Sequence, residues 1–342
     1  MVDVRIAVIG VGAVGGVLAG LLHRAGHEVS AVVRGETAER IAADGLRVDL
    51  PDGAVEARLP VLSSVPPEAE LVLLGVRSYS VRAALHEHAA GIGERPVLLL
   101  QNGLDAPETA AEVLRRPDGA GLHGGIVLFP ATRTAPGRVR LTAYGPARVG
   151  PVDPGRRVES ERIAAVLGDA VPARATGDLR GALWSKLLVN HVNALPAVTG
   201  LSVQQVCRHP LLGPLLARAL EDAVTVGDAL RVRFAGVGVL EPAHVVLIRR
   251  GRALDVVRGR LARAFGTRPN PASTLQSIRR GEPTEIEHLD GAVVRAARQA
   301  GLRAPVQEHM VGLVRRVERT GAFLPPRAVR DRMPTASGRG LG

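Results

Sequence analysis

Residues 4–22 read VRIAVIGVGAVGGVLAGLL. Val4–Ile9 is a short apolar run of the kind a buried strand requires, and the run after Gly16 is long enough for a helix. Between them Gly10-Val11-Gly12-Ala13-Val14-Gly15 spells G-x-G-x-x-G. In this setting each glycine has a task. The first permits a tight turn, the second lets a pyrophosphate reach the backbone, and the third lets the helix pack on the strand. The N–H groups at the start of the helix then face the phosphates. A nearly all-apolar run so close to the N-terminus could also be a secretion signal or a membrane span. The five glycines after Ile9, the flanking Asp3 and Arg5 and the lack of a cleavage pattern argue against both. The stretch predicts the strand-loop-helix of a dinucleotide site.

The following 150 or so residues continue that pattern. His27–Val33 reads as the second strand and ends at Arg34, which lies 19 positions after Gly15. A carboxylate near this place would bind ribose hydroxyls, and none occupies the strand end. An arginine there favours a 2′-phosphate, hence NADP; the alternative is a solvated strand-end arginine. Leu46–Arg58 contains a Pro51-Asp52-Gly53 turn between alternating runs and predicts a hairpin. Leu71–Val76 and Val97–Leu100 are fully apolar strands that end in Arg77-Ser78-Tyr79 and Gln101-Asn102-Gly103. In open α/β sheets ligands lie beyond the carboxyl ends of the strands, so Arg34, Arg77 and Asn102 are candidate ligand contacts. Asn102-Gly103 is also a strong turn pair. Strands at Gly125–Pro130, Arg138–Ala143, Ala147–Gly150 and Ala173–Thr176, with a helix at Arg157–Leu167, complete this half. The alternation stops there, which sets the expected domains at 1–176 and 177–342.

Composition narrows the function. The chain has 342 residues, 46% hydrophobic and 23% charged, an ordinary globular mix with a net charge of +11. Aromatic residues are only 2%, so the stacking platforms of single-strand nucleic-acid binders are missing, and no basic block of the duplex-binding kind occurs. The expected partner is a small anionic ligand rather than a nucleic acid or a membrane. The single cysteine, Cys207, excludes an intramolecular disulfide and points to a reducing, cytoplasmic compartment.

Of the 44 lysines plus arginines, one alone is a lysine, Lys186. Arginine cannot release a proton at accessible pH, whereas a lysine pKa moves readily on burial. The lone lysine therefore marks a place where a titratable ammonium is needed, or else a survivor of codon bias. It sits in Trp184–Asn193, WSKLLVNHVN, which also holds the only tryptophan. On a helix, Lys186, Asn190 and Asn193 fall at i, i+4 and i+7, on one face.

From Leu179 onward the pattern is helical. Leu211–Ala229, Pro242–Arg250 and Asp255–Phe265 are amphipathic, and Asn270–Ser273 opens a further helix that Gly281 and Pro283 end. Thr284-Glu285-Ile286-Glu287 reads as a capping box before Leu289–Ala300, which makes Glu285 a structural residue on local grounds. The histidines lack ligand spacing, so no metal is assigned. Residues 325–342 are polar and Gly/Arg-rich, the composition of a loose tail.

With these residues in place, Val4 to Glu318 resembles the ketopantoate reductase (2-dehydropantoate 2-reductase) family. The likeness rests on the glycine loop, Arg34, Arg77-Ser78-Tyr79, Gln101-Asn102-Gly103, Trp184-x-Lys186-Leu187 with Asn190, Asn270-x-x-Ser273-x-Leu275-Gln276 and Thr284-Glu285-Ile286. The resemblance implies an N-terminal Rossmann domain, a helical C-terminal domain and a cleft between them where NADPH reduces a 2-keto acid. It implies that Lys186 is the general acid and Glu285 the essential substrate-binding carboxylate. Asn102, Asn190, Asn193, Asn270 and Ser273 would contact substrate, and Gly10 to Gly15, Arg34, Arg77 and Asn102 the cofactor. Three features depart from the family. Arg77 stands for a usual lysine, Asn193 follows Asn190 by three residues instead of four, and Ser277 and Glu287 replace other acids.

The combined expectation is an α/β Rossmann domain followed by an all-helical substrate and dimerisation domain, acting as an NADPH-dependent reductase of a small 2-keto acid, with ketopantoate foremost. Two alternatives remain at this point: a specialised-metabolism reductase acting on another keto acid or an imine, and a catalytically idle NADP-binding regulator.

Overall fold

The computed structural model describes residues 3–266 and 269–332. The chain divides into two compact units, Met1–Gln101 with Asp105–Leu179, and Asn102–Leu104 with Arg180–Gly342.

The first unit carries twelve strands: β1 (Arg5–Ile9), β2 (Glu28–Val32), β3 (Leu46–Leu50), β4 (Gly53–Ala57), β5 (Val61–Leu62), β6 (Leu71–Leu74), β7 (Val97–Leu99), β8 (Leu122–Val127), β9 (Ala131–Ala135), β10 (Arg138–Leu141), β11 (Ala147–Pro151) and β12 (Ala173–Ala175). Eight of them form one sheet in the order β12-β11-β8-β7-β6-β1-β2-β5. All its neighbours are parallel except the β8–β11 pair. From β1 the order runs outward both ways, to β2 and β5 on one side and to β6, β7 and β8 on the other. This is the reversal at which open α/β sheets place ligands.

Both faces of that sheet are covered, which is why its central strands are apolar throughout rather than alternating. Ile6 and Val8 point to one face, with α1 (Ala13–Arg24) and, further along the chain, Ile163 and Leu167 of the helix Arg157–Gly168. Ala7 and Ile9 point to the other, under Val81, Leu85 and Ile92 of the helix Val81–Ile92.

The remaining four strands make a second sheet, β4-β3-β10-β9, whose β3–β4 hairpin was expected from the Pro51-Asp52-Gly53 turn. It lies against α1 so closely that a Cβ on Gly16 would stand 2.8 Å from Val139 Cγ1, and one on Gly20 would stand 2.5 Å from Val48 Cγ2. Two of the five glycines of the opening stretch thus serve packing rather than ligand binding.

The second unit is helical. Its core is centred on the 18-residue helix Leu212–Ala229, joined by Leu187, Leu188, Val293, Met310 and Val314 from the surrounding helices. Trp184 is buried and meets the Phe234 ring edge-on, with centroids 6.4 Å apart. Among the described residues no helix is long and apolar enough to cross a membrane.

Two local expectations are corrected here. Part of the expected loose tail, Pro326–Arg332, is a helix whose Val329 is fully buried in the core; the arginine-rich composition hid a single apolar anchor. Residues 333–342 lie outside the described residues. The capping box at Thr284–Glu287 does not form either. The helix begins later, at Asp290, behind the 3-10 turn Ile286–His288 and without a side-chain cap. The Thr284 hydroxyl instead accepts from Ile286 N at 3.4 Å, closing a tight local turn.

Candidate active site

In the first unit the glycine loop joins the carboxyl end of β1 to α1. Gly10 has φ +85°, and a Cβ there would strike Val76. A Cβ on Gly15 would come to 2.2 Å from Gly10 O, and one on Gly75 to 2.6 Å from the same oxygen. These three glycines interlock backbone to backbone. Gly75 was not singled out in the sequence, although a glycine inside an apolar strand signals just such an approach.

Gly12 behaves differently. A Cβ on it would meet nothing nearer than Gly75 O at 3.9 Å. The protein itself has room for a side chain at Gly12, so packing within the chain does not call for a glycine there. Gly12 also begins α1 with no side-chain cap and no acid in the first turn, which leaves the first-turn N–H groups to an anion. The loop's shape is compatible with a dinucleotide pyrophosphate lying against its backbone.

Arg34 stands two residues beyond β2. The nearest acid in the sequence, Glu36, opens the next helix, and the fold brings a further one from 53 residues away. Arg34 Nη1 donates to Glu87 Oε1 at 2.9 Å, and Nη2 lies 2.8 Å from Glu87 Oε2. Arg77 follows β6 and precedes the turn Ser78–Ser80. Gln101 ties the ends of β6 and β7 together, its amide donating to Leu74 O at 2.8 Å and to Val76 O at 3.0 Å.

In the second unit Lys186 and Asn190 lie one turn apart on the helix Leu179–Asn190, as the i, i+4 spacing requires. Lys186 keeps some accessible surface, but desolvation of its amine pushes the pKa down from 10.5 to about 8. The helix then tightens into the 3-10 turn His191–Asn193. Asn190 Nδ2 donates to Asn102 Oδ1 at 3.4 Å. Asn102 follows β7 in sequence yet belongs to the second unit by its contacts. The next residue, Gly103 (φ +96°), lies so near the Ile286–His288 turn that a Cβ would stand 2.2 Å from His288 O. Glu285, 6% exposed, immediately precedes that turn. Three segments distant in sequence are thereby gathered: Asn102-Gly103, the end of the Lys186 helix, and the turn after Glu285.

A fourth segment is attached through Asn193. Its buried side-chain oxygen accepts from Ser273 N at 3.4 Å, at the start of the helix Ser273–Arg279. Asn270 is held by Gln204, whose side-chain oxygen accepts from Asn270 N at 3.0 Å, while Asn270 Oδ1 accepts from Ala272 N at 2.8 Å. Between them Ala272 has φ +61°, a conformation that strains a side-chain-bearing residue. Behind the site, His191 Nδ1 lies 3.5 Å from Asp290 Oδ1, both side chains essentially inaccessible. His191 had no role in the sequence; its partner is 99 positions away.

Comparison with known proteins identifies the family. Residues 6–154 match the family described as ketopantoate reductase PanE/ApbA, and residues 178–318 match its C-terminal domain. The chain belongs to the ketopantoate reductase PanE/ApbA family. The 2-dehydropantoate 2-reductase of Halobacterium salinarum is 31% identical over 93% of this chain and 100% of its own length. That of Archaeoglobus fulgidus is 30% identical over 92% of this chain and 98% of its own. The crystal structure of a PanE/ApbA family ketopantoate reductase from Ralstonia eutropha superimposes with a TM-score of 0.77 at 28% identity, over 92% of this chain and 98% of that one. The protein is thus an oxidoreductase that uses a nicotinamide dinucleotide, on a Rossmann unit followed by a helical one.

Proposed function

We propose that this reductase uses NADPH to convert ketopantoate to pantoate. When bound, the reduced nicotinamide supplies hydride to the ketone carbon. The glycine loop and Arg34 hold the dinucleotide, Arg34 being the fixed cation at the second strand end that suits a 2′-phosphate, and Arg77 adds a second.

Lys186 carries the chemical reading. It is the only lysine, and burial brings its pKa to about 8. At neutral pH it remains an ammonium, yet its proton is close to being released, the balance a general acid needs. Lys186 donates that proton to the forming alkoxide and stabilises its charge. Asn102, Asn190 and Ser273 donate to the carboxylate and carbonyl of the keto acid. Asn193 holds Ser273 in place, and the Asn270 turn positions it from the other side.

Glu285 selects the substrate. Its nearly buried carboxylate can accept a hydrogen bond from the hydroxyl of ketopantoate, which a keto acid without that hydroxyl cannot supply. A site built for a hydroxyl rejects the analogue without one. NADPH oxidation with ketopantoate and with 2-ketoisovalerate tests this. Ketopantoate is expected to win in kcat/KM, and Glu285→Ala to shrink the gap. Equal rates for the two acids in the unsubstituted enzyme would remove the ketopantoate assignment.

A further inference from the structure

The Arg34–Glu87 pair has the geometry of a recognition site already filled by the protein's own carboxylate. The guanidinium donates from Nη1 to Glu87 Oε1 at 2.9 Å and holds Nη2 2.8 Å from Oε2, so a carboxylate occupies the group with which arginine also takes phosphate. The Arg34 side chain is 79% exposed. An ion pair so open to water contributes little to stability, so holding the fold does not account for it.

Among the described residues, the ion pairs of Glu87 are with Arg34 and His88. The neighbouring His88 Nε2 lies 3.9 Å from Glu87 Oε1, and burial pushes the His88 pKa down.

The consequences for the two nicotinamide cofactors are opposite. A 2′-phosphate at Arg34 must displace Glu87 from the fork or share the guanidinium with it, and in both cases two anions end up side by side. A 2′-hydroxyl has no such conflict. It can donate to the Glu87 carboxylate while the arginine stays paired, which is the role an acidic residue performs at a ribose. We propose that Glu87 is a specificity-determining residue, which lowers the enzyme's preference for the 2′-phosphorylated cofactor and keeps the unphosphorylated one usable. The proposal rests on the reading of Arg34 as the 2′-phosphate contact.

The test uses the full-length enzyme and two fragments that report only this end of the cofactor, adenosine 2′,5′-bisphosphate and 5′-AMP. Dissociation constants are measured by calorimetry for the unsubstituted protein, Glu87→Gln and Arg34→Ala. Glutamine keeps the shape and can still accept from Arg34, so only the charge is removed. Glu87→Gln is expected to raise the preference for the bisphosphate about ten-fold, the size of a repulsion between a unit charge and a dianion a few ångströms apart near the surface. The gain should shrink in high salt, and the preference for NADPH over NADH in kcat/KM should move in the same direction. A merely structural role would weaken both fragments alike. If Arg34→Ala lowers the preference for the bisphosphate while Glu87→Gln leaves it unchanged or lowers it, the proposal for Glu87 is overturned and the assignment of Arg34 stands. If Arg34→Ala leaves the preference unaltered, the NADP reading fails, and the Glu87 proposal with it.

Discussion

The residues proposed for the cofactor in the first unit and for the keto acid in the second handle charge in opposite ways. Arg34 and Glu87 are open to water, and in the proposed reading they act by position: which partner fills the guanidinium. In the second unit Glu285 is buried and Lys186 partly so, and in the proposed function Lys186 acts by titration, because desolvation has moved its pKa to about 8. The difference follows from the ligands. A phosphate keeps its charge through the reaction, so a permanent cation serves it. A ketone becomes an alkoxide and must receive a proton, so its partner has to be able to lose one. The single lysine of the chain lies on the side where titration is needed.

The largest expected effect comes from erasing that difference at its centre. Lys186→Arg keeps the positive charge but removes the transferable proton, and turnover should fall roughly 100- to 10,000-fold, the contribution of one positioned acid. Fragment binding at the glycine loop should be intact, and an active variant would show that electrostatics alone suffice. The same group sets the pH dependence. The acid must be protonated, so kcat/KM is expected to hold steady below about 8 and to decline above it as the amine loses its proton. A profile that rises through pH 8 would reverse the assignment and make Lys186 a base.

An intermediate effect separates protein packing from ligand packing within the glycine loop. Gly15→Ala places a methyl against Gly10 O and should destabilise the fold, whereas Gly12→Ala has space in the protein. For Gly12→Ala the melting temperature should be little changed. Cofactor affinity should drop by roughly ten-fold or more, since an overpacked contact costs about 1–3 kcal/mol. Loss of stability in Gly12→Ala with affinity retained would show that this glycine serves the chain and not the cofactor.

The smallest effect is a stability measurement. A double-mutant cycle with Arg34→Ala and Glu87→Ala should return a coupling below about 1 kcal/mol, because the pair is exposed and screened. A coupling of several kcal/mol in thermal or denaturant unfolding would mean that the pair is a structural clamp, and the contrast between the two regions would vanish.

Much of this was legible before the fold was known, wherever the information is local. The strand-loop-helix of residues 4–22, the apolar strands, the β3–β4 hairpin and the i, i+4 relation of Lys186 to Asn190 depend on periodicity and backbone freedom within a few residues. Local reading erred where a nearer partner outcompeted the expected one, as when the Thr284 hydroxyl took Ile286 N in place of a cap.

The sequence by itself determined the dinucleotide loop, the two kinds of unit and the lone titratable lysine, since each is stated by residue type at short spacing. Only the tertiary structure decided what meets what. It brought Glu87 to Arg34 across 53 residues, Asn102 to Asn190 across 88, and Asn193 to Ser273 across 80. It also separated glycines that look alike in the sequence: Gly10 and Gly15 meet backbone, Gly16 and Gly20 meet the small sheet, and Gly12 has open space. Such pairings depend on how strands are ordered and helices laid against them, which no stretch of a few residues specifies. That is why the acid that pairs with Arg34 could not be read from the residues around it in the sequence.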